Sequence, residues 1–208
     1  KWKAYFKPTA VGERLFIRPV WIDDFDAGNR AVLNIEPGAA FGTGTHDTTR
    51  LCLETLENHI NPDIELLDIG CGSGILSIIA LMLGAGEARA VDIDPNCKKI
   101  AYSNAALNGI GEDIYTVLDG NILIDENFKE DTEKSGPYDV VVANIVADII
   151  VMFTENVGKF LNDDGIYITS GIIDTREQDV LDAFEKYGFE IVARHEKSNW
   201  LCFECKKK

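Results

Sequence analysis

The stretch that decides the fold is Leu66-Leu67-Asp68-Ile69-Gly70-Cys71-Gly72-Ser73-Gly74-Ile75-Leu76. An apolar strand here runs into three alternating glycines that open a helix. Only residues without a side chain let a backbone turn this tightly and approach a ligand closely. The stretch therefore predicts a turn that binds a nucleoside cofactor through Gly70, Gly72 and Gly74. A tight strand-to-helix turn that binds no ligand is the alternative.

The spacing of the surrounding residues indicates which cofactor this is. Asp92 follows Gly70 by 22 positions and ends a second predicted strand, where its carboxylate can accept hydrogen bonds from both hydroxyls of a ribose. The glycine pattern is Asp-x-Gly-x-Gly-x-Gly, whereas a dinucleotide fingerprint requires Gly-x-Gly-x-x-Gly and would place its last glycine at Ile75. The sequence therefore favours S-adenosylmethionine over NAD or FAD.

Strands and helices alternate along the chain, which predicts an α/β fold with a doubly wound, mostly parallel seven-stranded sheet and an antiparallel last strand. Residues 125–136, between the third and fourth strands of this sheet, are expected to be an acidic, mobile stretch. The predicted sheet strands are 64–69, 88–93, 114–118, 138–143, 166–170, 189–194 and 200–205, and two shorter strands precede them at 14–21 and 31–35. The predicted helices are 46–58, 74–83, 96–108, 145–161 and 175–187.

Composition and charge limit the class of protein. A chain of 208 residues that is 46% hydrophobic can bury a full core without disulfides, and five cysteines without a framework spacing suggest a reducing compartment, the cytoplasm. No apolar stretch approaches the ~18 residues of a membrane span. The net charge of −15 makes nucleic acid an unfavourable partner and suits a basic protein or a cationic cofactor. The alternative is that this charge only keeps the protein soluble.

Polar residues follow the carboxyl ends of successive predicted strands, where ligands collect in doubly wound sheets. Asp119 follows the third strand and Asn144 the fourth. Both are expected at the cofactor site, although an asparagine in this position can also cap a helix. The segment Glu36 to Thr49 is rich in glycine and threonine and is suited to close over a ligand, with a flexible linker capped by Thr45 or Asp47 as the alternative.

Four motifs occur in order: Gly-Thr-Gly-Thr-His at 42–46, Asp-Ile-Gly-Cys-Gly-Ser-Gly at 68–74, Val-Asp-Ile-Asp-Pro at 91–95 and Val-Ala-Asn-Ile at 142–145. In order and spacing, from Gly12 to Cys205, the chain resembles the PrmA family, the methyltransferases that act on bacterial ribosomal large-subunit protein eleven. The resemblance implies a Rossmann-like class I methyltransferase that uses S-adenosylmethionine to methylate amines of that protein, lysine side chains and the N-terminal amine. It also implies cofactor contacts at Thr49, Gly70, Asp92 and Asn144.

The resemblance implies a division of the chain as well. Residues 1–40 would be a linker with short strands, and residues 41–208 the methyltransferase domain. Members of the family carry a further N-terminal domain that recognises the ribosomal protein, and the chain is expected to lack this domain.

The expected chemistry is an in-line displacement in which a neutral amine takes a methyl group from a sulfonium, so positioning dominates and a metal is unnecessary. Asn144 can accept a hydrogen bond from the amine N–H, and His46 can relay a proton, with capping or packing as the alternative for His46. Other functions stay open: methylation of another protein or a small molecule, a non-catalytic domain that binds S-adenosylmethionine as a sensor or scaffold, and a nucleotide-dependent oxidoreductase, against which the glycine spacing argues.

Overall fold

The computed structural model describes residues 6–36, 44 and 46–208. The strands in this part of the chain are β1 (Thr9–Val11), β2 (Leu15–Pro19), β3 (Ala31–Ile35), β4 (Glu65–Ile69), β5 (Glu87–Asp92), β6 (Tyr115–Asp119), β7 (Tyr138–Asn144), β8 (Leu161–Ile173), β9 (Phe189–Lys197) and β10 (Trp200–Lys207). The helices are α1 (Asp47–Leu56), α2 (Ile75–Met82), α3 (Pro95–Leu107), α4 (Glu126–Lys134), α5 (Ala147–Phe160) and α6 (Glu177–Lys186). Within the described ranges, no helix has both the length and the apolar character needed to cross a bilayer.

The main sheet has seven strands in the order β6-β5-β4-β7-β8-β10-β9. Strands β4 to β8 pair in parallel, whereas β10 lies between β8 and β9 and runs antiparallel to both. The predicted fold, including its antiparallel last strand, is confirmed. The strand order reverses between β4 and β7, and in such sheets the crevice at that point binds ligands.

Helices cover both faces of this sheet and create two apolar cores. One core lies under α1, α2 and α3, and the other lies under α5 and α6. The second core is built around stacked and edge-on aromatic rings, with the centroid of Tyr167 6.2 Å from that of Phe153 and 6.1 Å from that of Phe184. Val140 to Val142 of β7 are at most 1% exposed, as expected for a central parallel strand with helices on both faces.

The N-terminal strands form a small sheet that is part of the first core. Strand β2 pairs antiparallel with β1 and parallel with β3, and the buried side chains of this sheet include Val11, Leu15 and Ile35. The sequence pattern predicts β2 and β3 but not β1. Because these side chains share a core with α1 and α2, residues 9–35 pack as one body with the main sheet.

One buried carboxylate attaches the N-terminal sheet to α1. Glu57, directly after α1, is 8% exposed and accepts hydrogen bonds from the backbone amides of Glu13 at 2.9 Å and Arg14 at 3.0 Å. Arg14 returns a bond from its guanidinium to the Glu57 carbonyl at 2.9 Å. The turn between β1 and β2 is therefore held by charge-assisted hydrogen bonds between residues that are 43 and 44 positions apart in the sequence.

Residues 125–136 form a helix rather than a mobile stretch, so that expectation is wrong. The Asp125 carboxylate caps α4 by accepting from Phe128 N at 3.1 Å, and Lys129 forms an ion pair with Glu126 at 2.8 Å. Thr132 is fully buried. Capping and pairs three or four residues apart stabilise a helix even where composition is strongly acidic.

We expect Glu57→Gln to lower the free energy of unfolding by about 1–3 kcal/mol, because one of the two acceptor oxygens becomes an amide that faces backbone N–H groups. Urea denaturation at pH 7 measures this change. Glu54→Gln is the matched control, since Glu54 lies on the same helix and only approaches Arg50 at 3.9 Å; its expected change is within ~0.5 kcal/mol. Equal stability of both variants would contradict the proposed anchoring.

Candidate cofactor and active site

A cavity of about 690 Å³ opens at the carboxyl ends of the sheet strands, beside the point where strand order reverses. Its volume lies within the range of small-molecule and cofactor sites. The glycine turn after β4 forms one wall, Asp92 of β5 another, and Asn144 of β7 a third. Trp200, the first residue of β10, also lines the cavity. The structure therefore brings together most of the residues that the sequence predicts for the site.

The three glycines of the turn all have left-handed backbones, with φ of +72° at Gly70, +53° at Gly72 and +79° at Gly74. A Cβ at Gly70 would lie 2.5 Å from a side-chain carbon of Ile145, and one at Gly74 would lie 2.6 Å from the hydroxyl of Tyr115. Gly70 and Gly72 line the cavity, whereas Gly74 does not. Gly74 is thus required by helix packing, and the other two leave backbone open to a ligand.

Asp92 is held in place by the turn that it faces. Its Oδ2 accepts from Gly72 N at 2.9 Å, and its Oδ1 accepts from Asp94 N at 2.9 Å. A carboxylate oxygen can accept a second hydrogen bond, so this side chain keeps acceptor capacity toward the cavity. Asp119, at the end of β6, is exposed and does not line the cavity, and the two residues after it do so instead.

Asn144 lines the cavity at the end of β7 with an incompletely satisfied amide. Its Nδ2 donates to Thr49 Oγ1 at 3.4 Å, and its buried Oδ1 has no hydrogen-bond partner within the described part of the chain. Thr49 is fully buried and lies behind Asn144 rather than on the cavity wall. The alternative that Asn144 caps a helix is wrong, because Val146 occupies the N-cap position of α5. A buried acceptor without a partner is costly and is typical of a functional group.

His46 caps α1 and also lines the cavity. Its Nδ1 accepts from Thr48 N at 3.3 Å, and its ring packs edge-on against Trp200 with 5.3 Å between the centroids. The predicted capping is confirmed, while proton relay by His46 stays a prediction. Asp47 is the first residue of the helix and not its cap. Residues 37–43 and Thr45 of the predicted ligand-closing segment lie outside the described residues.

Two cysteines line the cavity without being candidate nucleophiles. Burial raises the pKa of the Cys97 thiol to about 12 and that of Cys71 well above its usual value. Both thiols are therefore protonated at neutral pH, and only the thiolate is strongly nucleophilic.

A carboxyl group is buried directly beneath the glycine turn. Asp68 is 1% exposed, and its Oδ2 accepts from Ser77 Oγ at 2.7 Å. Burial raises the pKa of Asp68 to about 7, the hydrogen bond from Ser77 opposes this rise, and the charge of Asp92 adds to it. The group thus titrates near neutral pH beside the candidate cofactor site.

A second cavity of about 470 Å³ lies at the amino ends of β7 and β8, where doubly wound sheets do not bind their cofactors. Asp139 in its wall has both oxygens paired, to Glu65 N at 2.9 Å and to Asn162 Nδ2 at 2.6 Å. The first cavity is therefore the candidate site.

A family model for ribosomal protein L11 methyltransferase (PrmA) matches residues 1–208. The chain belongs to this family. A ribosomal protein L11 methyltransferase from Clostridium perfringens is 42% identical over 207 residues, which cover 100% of this chain and 63% of that protein. This PrmA-family chain thus spans 63% of the length of that curated relative.

Solved structures agree with this assignment. A ribosomal protein L11 methylase from Lactobacillus delbrueckii subsp. bulgaricus superimposes with a TM-score of 0.87 at 30% identity, covering 98% of this chain and 100% of that one. A candidate methyltransferase solved in complex with SAH superimposes with a TM-score of 0.64 at 13% identity, covering 78% of this chain and 50% of that one. The second likeness shows that the PrmA-family chain shares a methyltransferase fold.

We expect Asp68→Asn to make stability less dependent on pH. Because the folded pKa of about 7 lies above the unfolded value of about 3.9, the folded state keeps a proton that the unfolded chain releases, and stability falls as the pH rises between these values. Urea denaturation at pH 5, 6, 7 and 8 should show a slope that is smaller than the parent's by about 1 kcal/mol per pH unit below pH 7.

Ser77→Ala is the companion variant for this experiment. It removes the hydrogen bond that opposes the rise in the Asp68 pKa, so its stability should keep falling to a higher pH than the parent's. Identical pH profiles for the parent and Asp68→Asn would show that Asp68 does not titrate in this range.

Proposed function

We propose that this chain is an S-adenosylmethionine-dependent methyltransferase domain whose substrate amines belong to ribosomal protein L11. The observation that carries the proposal is the Asn144 amide, whose buried oxygen has no hydrogen-bond partner among the described residues and lies in the wall of the cavity that also contains Asp92. One wall thus offers an acceptor for an amine, and the other offers an acceptor for ribose hydroxyls.

The residues of the cavity fit the cofactor. Gly70 and Gly72 expose backbone where a side chain would block approach, and Asp92 can accept from two hydroxyl groups. Ile93 and Ile122 supply apolar surface for a purine ring. When bound, S-adenosylmethionine supplies a sulfonium methyl group that a neutral amine can take by in-line displacement.

Asn144 is proposed to orient the amine. Its Oδ1 accepts one amine N–H, which directs the nitrogen lone pair and favours the positive charge that develops on nitrogen as the new bond forms. Thr49 Oγ1 accepts a hydrogen bond from Asn144 Nδ2 and so fixes the direction of the amide. His46 is the proposed proton relay, although its Nδ1 is used by the helix cap.

The family supports the proposed substrate, and the net charge of the chain agrees with it. The proteins that this chain resembles are named for ribosomal protein L11, and a net charge of −15 favours a substrate segment rich in lysine. We propose lysine side chains and the N-terminal amine as acceptors, and the cytoplasm as the compartment. Direct binding of nucleic acid is not expected from such a surface.

We expect Asp92→Ala to weaken S-adenosylmethionine binding by ~2 kcal/mol or more, about 30-fold in Kd, because charge-assisted hydrogen bonds to the ribose are lost. Isothermal titration calorimetry measures this loss. Asp119→Ala, one strand away and outside the cavity wall, is the matched comparison and should leave Kd within twofold. A titration with NADH tests the oxidoreductase alternative, because that function requires NADH to bind. The glycine spacing disfavours such binding.

We expect Asn144→Ala to lower kcat for labelled methyl transfer to unmodified ribosomal protein L11 about a hundredfold, or ~2.7 kcal/mol, with a smaller effect on cofactor affinity. Thr49→Val keeps the side-chain shape and deletes the hydroxyl, so we expect it to weaken S-adenosylmethionine binding by about 1 kcal/mol. Normal turnover by a folded Asn144→Ala variant would remove Asn144 from catalysis. Cofactor binding without transfer to any amine would support the sensor alternative.

A further inference from the structure

Helix α3 contacts the candidate site at its beginning and again near its middle. At its N-cap, Asp94 donates its backbone amide to the Asp92 carboxylate at 2.9 Å. Two turns later, Ala101 packs so closely on Gly74 that a Cβ there would lie 2.9 Å from the Ala101 Cβ. The helix therefore supports both the ribose-binding carboxylate and the glycine turn.

Asn104, one further turn along α3, joins the glycine turn to the N-terminal sheet. It is 2% exposed, and its Nδ2 donates to the Ser73 carbonyl at 3.0 Å. Its Oδ1 accepts from Glu36 N at 3.4 Å. Glu36 directly follows β3 and begins the segment that the sequence predicts to close over a ligand. The buried amide of Asn104 thus fixes the distance between the glycine turn and the start of this segment.

Asn108, the C-cap residue of α3 four positions after Asn104, makes similar bonds that do not reach the glycine turn. Its Oδ1 accepts from Asn34 N at 2.8 Å, and its Nδ2 donates to Asn34 O at 2.7 Å and to Asn104 O at 2.8 Å. Asn108 thus attaches the end of α3 to β3.

We propose that Asn104 is a positioning residue of the cofactor site, which rests on the proposed function. It holds the Ser73 carbonyl, and through it the glycine turn, in the arrangement that the cofactor requires. Glycine loses more conformational freedom on ordering than any other residue. A buried hydrogen bond that removes this freedom before binding raises affinity without touching the ligand, which is preorganisation. Asn104 itself does not line the cavity.

The test compares Asn104→Ala with Asn108→Ala, because each removes side-chain amide bonds to residues 34–36, at or just after the end of β3, and only the first releases the glycine turn. Calorimetry with SAH, at a temperature where both variants are folded, should show a Kd about tenfold higher for Asn104→Ala and within twofold of the parent for Asn108→Ala. Unchanged binding by Asn104→Ala, or equal weakening by both variants, would overturn the proposal.

Asn104→Asp keeps the acceptor for Glu36 N and places a carboxylate oxygen opposite the Ser73 carbonyl, so it should weaken SAH binding like the alanine variant. It serves if the alanine variant does not fold. Amide hydrogen exchange of a peptide covering residues 69–76, measured without ligand, should be faster in either Asn104 variant and unchanged in Asn108→Ala. A parent chain that does not bind SAH would refute the proposed function, and this exchange comparison would still decide whether Asn104 holds the turn.

Discussion

The turn from β4 into α2 requires glycine at Gly70 and Gly74, because the backbone there is left-handed and packed on two sides. A Cβ at Gly70 would collide with Ile145 after β7, and a Cβ at Gly74 would collide with Tyr115 of β6 and Ala101 of α3. This one turn thus contacts elements on both sides of β4. On one side it contacts the connection after the adjacent strand β7, and on the other it contacts α3 and β6. The cavity, the position of Asp92 and the support from α3 all depend on this close approach.

Much of this arrangement could be predicted from sequence because its signals are local. Apolar strands, glycine spacing and a carboxylate at a strand end are each readable within a few residues, and parallel strands necessarily bring their carboxyl ends to one edge. Asp92 and Asn144 can therefore be expected at one edge of the sheet, and both line the same cavity. The helix α4 was also locally encoded, by the Asp125 cap and the Glu126–Lys129 pair, but its acidic composition concealed these signals.

The features that could not be predicted from sequence depend on contacts between distant segments. The N-terminal sheet is fixed by Glu57, and nothing near residues 13 and 14 indicates that partner. Trp200 reaches His46 only because the last strand enters the sheet in the reverse direction. Thr49 turned out to lie behind Asn144, since the direction of a buried side chain is decided by packing and not by its position in a motif. Sequence spacing thus located the site better than it assigned individual contacts.

The antiparallel insertion of β10 also has a consequence for the order of assembly during translation. Strand β9 is made before β10 yet touches the sheet only through it, because β10 lies between β8 and β9. Until β10 has emerged from the ribosome, β9 lacks the strand with which it pairs in the folded sheet, and the cavity lacks Trp200. The wall that contains Gly70, Gly72 and Asp92 is built by the parallel strands made earlier and does not require β10, whereas the wall that contains Trp200 does.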